Sequence, residues 1–300
     1  MSSLVPPHPS HPLVSELGRR VVVALIGAPL AVGIIWFGDA ALATLAAALS
    51  AIGAWEFYRI ARGAGAKPLS GVGIVLSALI PLAVHGQTLG VLRIPLVLPM
   101  LVVLALFALT IWLRGVDGGP VAAVSTTLFG VLYTGGALAF VYGLRYHRFA
   151  IGDTAGALLV LLPLVLTWAS DTGAYFAGRA IGGRKLMPSV SPGKTVSGAV
   201  GGVVLTVAVA AAFVPLVLVP RAQLAFSPLG LVLFACVVSV VAQIGDLAES
   251  LIKREGGVKD SGSIFPGHGG VLDRLDSLFF VLPVVYALYD VLLLPAPGAS

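Results

Sequence analysis

Charge is scarce in this sequence. Asp, Glu, Lys and Arg make up 10% of the 300 residues against 58% hydrophobic ones, and the mean hydropathy is +1.03. An aqueous globule of this size could not hide so much apolar surface, which excludes a soluble domain and predicts a multi-pass membrane protein. Cysteine is nearly absent. The single Cys236, inside an apolar run, rules out an intramolecular disulfide or a thiolate metal cage and is expected to pack in the core. No repeat of fixed period stands out. A P-loop is missing too, because Pro188 stands where the first glycine of G-x-x-x-x-G-K-[ST] would precede Gly193, Lys194 and Thr195.

Long apolar runs are abundant. A helix needs about 20 residues to cross the hydrocarbon layer, and nine segments qualify: 20–38, 40–60, 71–90, 94–113, 122–143, 156–178, 197–219, 229–252 and 273–294. The expected fold class is therefore all-α, a polytopic integral membrane protein of nine spans. Residues 1–18, rich in Pro, His and Ser, read as a disordered cytoplasmic tail. The first span has the outline of a signal peptide but is read as a retained helix, since eight more follow. Residues 19–150 form an N-terminal set of helices and 151–295 a C-terminal catalytic region. With the N-terminus inside and the C-terminus outside, 14 of the 18 Lys and Arg fall on the cytoplasmic side and only Arg93, Arg145, Arg148 and Arg221 outside. This orientation puts the basic stretches 179–197 and 250–276 on one face, where they can share a site at the inner face of the cell membrane. The net charge of +5 also suits anionic headgroups, although topology explains it equally well.

Acids at membrane depth are costly and mark functional candidates. Asp171 interrupts one apolar run, and Asp246 and Glu249 another. At about 100° per residue, Asp246, Glu249, Ser250 and Lys253 share one helical face. Glu249 and Lys253 stand at i,i+4, so an internal ion pair competes with any role toward a ligand. Asp246 has no such partner in its own helix and is assigned a metal. Asp273 and Asp276 open the last span at i,i+3. They are candidate metal ligands, with helix capping as the structural alternative. The turn PGHGG at 266–270 allows backbone to approach a ligand. Within it, His268 is a general base, a phosphate donor or a plain loop residue. His8, His11, His85 and His147 have no acid or cysteine at ligand spacing and are read as uninvolved. Cations among carboxylates in a glycine-rich loop suit a metal-bound polyphosphate at a membrane surface.

Ser250 through Asp276 meets in full the signature S-x-x-K-R-x4-K-D-x-[GSA]-x2-[LIF]-P-x-H-G-G-x-x-D-R-x-D, and DTGAYFAGR at 171–179, SPGKT at 191–195 and GDLAES at 245–250 extend the likeness. By these motifs the chain resembles the CDP-diacylglycerol synthase (phosphatidate cytidylyltransferase) family. The motifs cover somewhat less than the C-terminal half, and the first five spans match only in hydropathy. Two positions depart from the common S-P-K-K-T-x-E-G: Gly193 replaces a lysine and Ser197 the glutamate. The resemblance implies transfer of a cytidylyl group from CTP to phosphatidic acid, giving CDP-diacylglycerol and pyrophosphate, with Mg²⁺ required and the presence of a monovalent cation such as K⁺ left open. It implies catalytic roles for Asp246, Lys253, His268, Asp273 and Asp276, with Asp246, Asp273 and Asp276 as the metal ligands. Substrate contacts follow at Asp171, Ser191, Lys194, Thr195, Arg254, Lys259, Asp260, Gly269, Gly270 and Arg274. The partners expected are CTP, phosphatidic acid, the bilayer and a second copy in a homodimer, but no nucleic acid. An acidic cavity opening to the cytoplasm and the inner leaflet is expected. The alternatives are a CTP-dependent lipid or polyprenol kinase and a transporter; a CDP-alcohol phosphotransferase is excluded by the lack of its D-G-x2-A-R-x8-G-x3-D-x3-D helix.

Overall fold

The computed structural model describes residue 27, residues 29–264 and residues 269–296. A helical stretch over 29–37 leads into α1 (Asp39–Gly63), α2 (Ser70–Thr88), α3 (Val97–Leu113), α4 (Pro120–Arg145), α5 (Gly152–Ile181), α6 (Val196–Ala222), α7 (Pro228–Glu255) and α8 (Leu272–Leu292). Among the described residues seven of these are long and apolar enough to cross a membrane, and α3 is shorter at 17 residues. The chain thus reads as a multi-pass membrane protein. Residues 20–26 and 28 of the expected first span, the tail 1–18 and His268 lie outside the described residues.

The fold is mostly helical as expected, with two small two-stranded antiparallel sheets added: one hairpin and one pairing of distant segments. β1 (Lys185–Met187) pairs antiparallel with β2 (Ser191–Thr195), and β3 (Leu224–Phe226) with β4 (Leu293–Pro295). The β1–β2 hairpin lies within the basic stretch 179–197, between two of the expected spans.

Local chemistry fixes the helix ends near these sheets. Thr195 ends β2 and its Oγ1 accepts from Gly198 N at 3.1 Å, capping α6. Ser227 does the same for α7 through Gly230 N, with Pro228 at the first helical position. Two helices widen into single π-turns. The one at Val214–Leu218 contains Pro215, which cannot donate to the helical ladder. The other, Leu132–Gly136 within α4, presents Tyr133 and Thr134 to the interior.

Apolar burial does little to hold helices together inside lipid, so close packing has to. α5 and α6 cross with backbone against backbone: a Cβ on Gly173 would stand 2.5 Å from the Gly201 carbonyl, and one on Gly198 2.8 Å from that of Ala174. Across the next seam Ser170 Oγ meets Ser239 Oγ at 2.8 Å and Gln243 Nε2 donates to Ala199 O at 3.2 Å. At about 0.6 kcal/mol each, such bonds set register more than they supply stability. One apolar core runs through both halves of the chain, with Tyr58, Leu159, Leu166, Phe234, Val238 and Leu282 in it. Cys236, expected in the core, is only half-buried. At the end of the molecule away from β1–β2, buried Arg145 donates to Ile35 O, Trp36 O and Asp153 Oδ1 at 2.9–3.0 Å, and Arg148 Nε pairs with Asp290 Oδ1 at 2.8 Å. Asp290 and β4 thus tie the far end of α8 to Arg148 and to β3.

Candidate active site

α5, α6, α7 and the β1–β2 hairpin enclose a cavity of about 660 Å³. Asp171 of α5, Lys194 and Thr195 of β2, and Gln243 and Asp246 of α7 line it, with Tyr175 and Arg179 further along α5. Lys194 Nζ lies 2.7 Å from Asp246 Oδ2, so the hairpin delivers to Asp246 the cation that its own helix lacks. Ser250 Oγ donates weakly to Asp246 Oδ1 at 3.4 Å. Arg179 Nη1 donates to Tyr175 Oη at 2.9 Å, and Arg254 Nε to Val190 O at 3.3 Å, tying α7 to the hairpin a second time. Ser197, at the position of the family's glutamate, donates to Gly182 O and closes the turn between α5 and β1.

A second cluster lies further along the same face of α7. Lys253 Nζ is 2.6 Å from Glu249 Oε2 and 2.8 Å from Asp273 Oδ1. The ion pair weighed for Glu249 and Lys253 is present, with Asp273 as a third member. Asp273 Oδ2 accepts from Ser261 N, Ser261 Oγ and Gly270 N, all at 2.8 Å. Gly269 takes a φ of +82°, and a Cβ there would overlap Asp273 Oδ2, which makes glycine a steric requirement at that position. Asp276 accepts from Ser277 N at 2.6 Å and stands between the clusters, near enough for the charges of Asp246, Asp171 and Lys253 to act on it.

Sequence reading missed one member. Glu56, on α1 and fully buried, accepts from Val271 N at 3.1 Å, Leu272 N at 2.9 Å and Ser261 Oγ at 3.1 Å. One turn later Arg59 donates to Ser261 O. The available signal was an acid inside the apolar run AIGAWEFYRI. Its neighbours Arg59 and Arg62 made the segment look like an ordinary cytoplasmic span end.

The expected residues thus fall into groups. Asp171, Lys194, Thr195 and Asp246 meet in the cavity; Lys253, Asp273, Gly269 and Gly270 meet in the second cluster; Asp276 lies between. Ser191 begins β2, and Arg254, Lys259, Asp260 and Arg274 are exposed around these groups. The trio Asp246, Asp273 and Asp276 is not gathered into a cage: among the described residues no three Asp, Glu, His or Cys side chains are placed to hold a metal ion. The reason is local, since both oxygens of Asp273 are already engaged by Ser261, Gly270 and Lys253.

Two carboxylates, a hairpin lysine and further cations at the end of membrane-crossing helices suit a polyphosphate carried with a divalent ion. Residues 18–292 match the Cytidylyltransferase family. The chain belongs to that family. It is 45% identical over 155 residues to the phosphatidate cytidylyltransferase of Bacillus subtilis, covering 50% of this chain and 56% of that protein. It is 42% identical over 149 residues to the one of Haemophilus influenzae, covering 49% and 50%. The phosphatidate cytidylyltransferase of Brucella suis is 32% identical over 279 residues, 91% of this chain and 93% of its own length. The matched segment spans about half the length of the first two relatives and nearly all of the third.

Proposed function

We propose that the chain transfers the cytidylyl group of CTP to phosphatidic acid, leaving CDP-diacylglycerol in the membrane and releasing pyrophosphate. The observation that carries this reading is the meeting of Asp171, Lys194 and Asp246, from three separate segments, in one cavity among membrane-crossing helices. Membership of the family and the names of the relatives support it.

A phosphate oxygen of phosphatidic acid attacks the α-phosphorus of CTP. The new O–P bond forms as the bond from that phosphorus to the bridging oxygen breaks, and the electron pair departs with pyrophosphate. A phosphate monoester is largely ionised near neutral pH, so no general base is required. The task of the protein is to hold two polyanions in line and to offset the charge on the leaving group. Lys194 and Arg179 in the cavity, together with Arg254, Lys259 and Arg274, are the cations for this; Ser191, Thr195, Asp260 and the Gly269–Gly270 backbone are the further substrate contacts, and His268 is kept as a phosphate donor. Lys253 acts through Asp273 and not on phosphate directly, because two carboxylates already hold its ammonium.

Magnesium fits the donor set, since it takes one or two carboxylates and leaves its other positions to water and phosphate oxygens. Asp246 and Asp171, which share the cavity, would hold it, with Asp276 nearby and Asp273 kept by Lys253, Ser261 and Gly270; when bound it would neutralise phosphate charge. The orientation belongs to the same proposal: nine spans, N-terminus inside, with the hairpin and the 250–276 loop at the cytoplasmic face and lipid entering from the inner leaflet. The two ties from the hairpin to α7 support a single shared face.

The test is purified protein in detergent with phosphatidic acid, Mg²⁺ and each of the four nucleoside triphosphates. Pyrophosphate and CDP-diacylglycerol with CTP alone are expected. Release of CDP would replace the reading with a CTP-dependent lipid kinase, and no nucleotide-dependent product would favour a transporter.

A further inference from the structure

We propose that Glu56 is a positioning residue: from the N-terminal half of the chain it sets the placement of Asp273, and through it Lys253, in the site of the C-terminal half. The proposal rests on the cytidylyltransfer reading for its activity measurements only.

The first N–H groups of a helix have no partner within it and attract negative charge. At the start of α8 the residue in the capping position is Val271, which has no side-chain acceptor. Glu56 fills that role from 215 residues away, taking the N–H groups of Val271 and Leu272 on its two oxygens. The same carboxylate reaches Ser261, whose hydroxyl stands 3.1 Å from Glu56 Oε2 and 2.8 Å from Asp273 Oδ2. That hydroxyl carries one proton, so it joins the two acids while satisfying one at a time. Asp273 keeps two backbone donors whichever way the proton points.

Two glycines show that the fit is built around this carboxylate. A Cβ on Gly262 or on Gly270 would overlap Glu56 Oε1. Their smallness admits an acid from α1, a different reason from the approach of a phosphate to backbone. Arg59, on the same face of α1 one turn on, holds the Ser261 carbonyl. Glu56 and Arg59 therefore hold Ser261 by its hydroxyl and its carbonyl, and Asp273 inherits its position from that grip.

The direct test is Glu56→Gln, which keeps the volume and removes the charge. The expected result is a folded protein whose kcat falls at least about tenfold, as a small misplacement of reacting groups would cause, while KM for CTP changes less than about threefold. Wild-type kcat in the folded variant would overturn the proposal. If Glu56→Gln does not fold, Gly262→Ala decides. Alone it should lose activity, because its methyl group and the Glu56 carboxylate cannot share the space. Combined with Glu56→Asp, which draws the carboxylate back by one methylene, it should recover activity above that of Gly262→Ala alone. A fully active Gly262→Ala, or no recovery in the pair, refutes the role. Hydrogen exchange keeps this separate from the activity reading: in Glu56→Ala the amides of Val271 and Leu272 should lose protection whether or not the protein uses CTP, and unchanged protection counts against the proposal.

Discussion

Removing the Lys253 ammonium should damage stability as well as activity, and the structure gives the scale. Its side chain is 14% exposed, that of Glu249 2% and that of Asp273 7%. Lys253→Met keeps the length and apolar stem but leaves two buried carboxylates facing each other without a cation. Breaking a buried charge network by deleting one partner typically costs about 3–5 kcal/mol. For a chain of this length each kcal/mol moves the melting point by roughly 2 °C, so Lys253→Met should melt about 6–10 °C below wild type. Adding Glu249→Gln removes one stranded charge and should return part of the loss without restoring turnover. The assay is thermal unfolding in detergent beside CTP-dependent pyrophosphate release. A lysine that held only a substrate phosphate would stand unpaired before substrate arrived, and its loss would leave the melting point alone. A Lys253→Met protein that melts within a degree of wild type would refute the network.

Asp246→Asn should remain folded and lose pyrophosphate release by about a hundredfold or more, the scale of losing an electrostatic group that acts on the transition state; substantial turnover in the assay would remove Asp246 from the mechanism. Gly173→Val should force apart the α5–α6 crossing, because its side chain meets the Gly201 carbonyl and Leu205 Cβ. Overpacking of this kind costs about 1–3 kcal/mol, read as a lower melting point, and an unchanged melt would mean that the crossing tolerates separation. In a Cys236→Ala background, Lys259→Cys should resist a membrane-impermeant maleimide in intact cells while Arg148→Cys reacts, and the reverse pattern would invert the proposed orientation.

Hydropathy made the spans legible because lipid imposes both their length and their apolarity. Eight expected segments have helical counterparts among the described residues, and α3, at 17 residues, falls short of the length criterion. The convergence of Asp171, Lys194 and Asp246 was legible for a related reason: polar groups in a membrane protein have few places to go, and charge asymmetry put both basic stretches at one end. What stayed hidden was non-local or small. Pro192 and Gly193 make β2 a poor strand by composition, and only its pairing with β1 reveals it. The use of Asp273 turned on which donors the 261–270 loop would present. Nothing local to Glu56 indicates partners 205 to 216 residues away.

The partner of each acid sorts the acids by what they are able to do. Glu56 and Asp273 Oδ2 are held by backbone N–H groups and by Ser261, donors that the fold itself fixes, so a ligand could displace them only by unfolding the loop. Glu249 is neutralised by a lysine one turn along its own helix, equally fixed. Asp246 differs, because its cation arrives on a separate two-stranded hairpin, and Asp171 is exposed in the cavity beside it. A metal ion bound here would take the place of Lys194 on Asp246, and the lysine would then be available to a phosphate. The two clusters along α7 thus divide the work: the one with fixed partners holds the loop in shape, and the one with the replaceable partner is where ligand chemistry can occur.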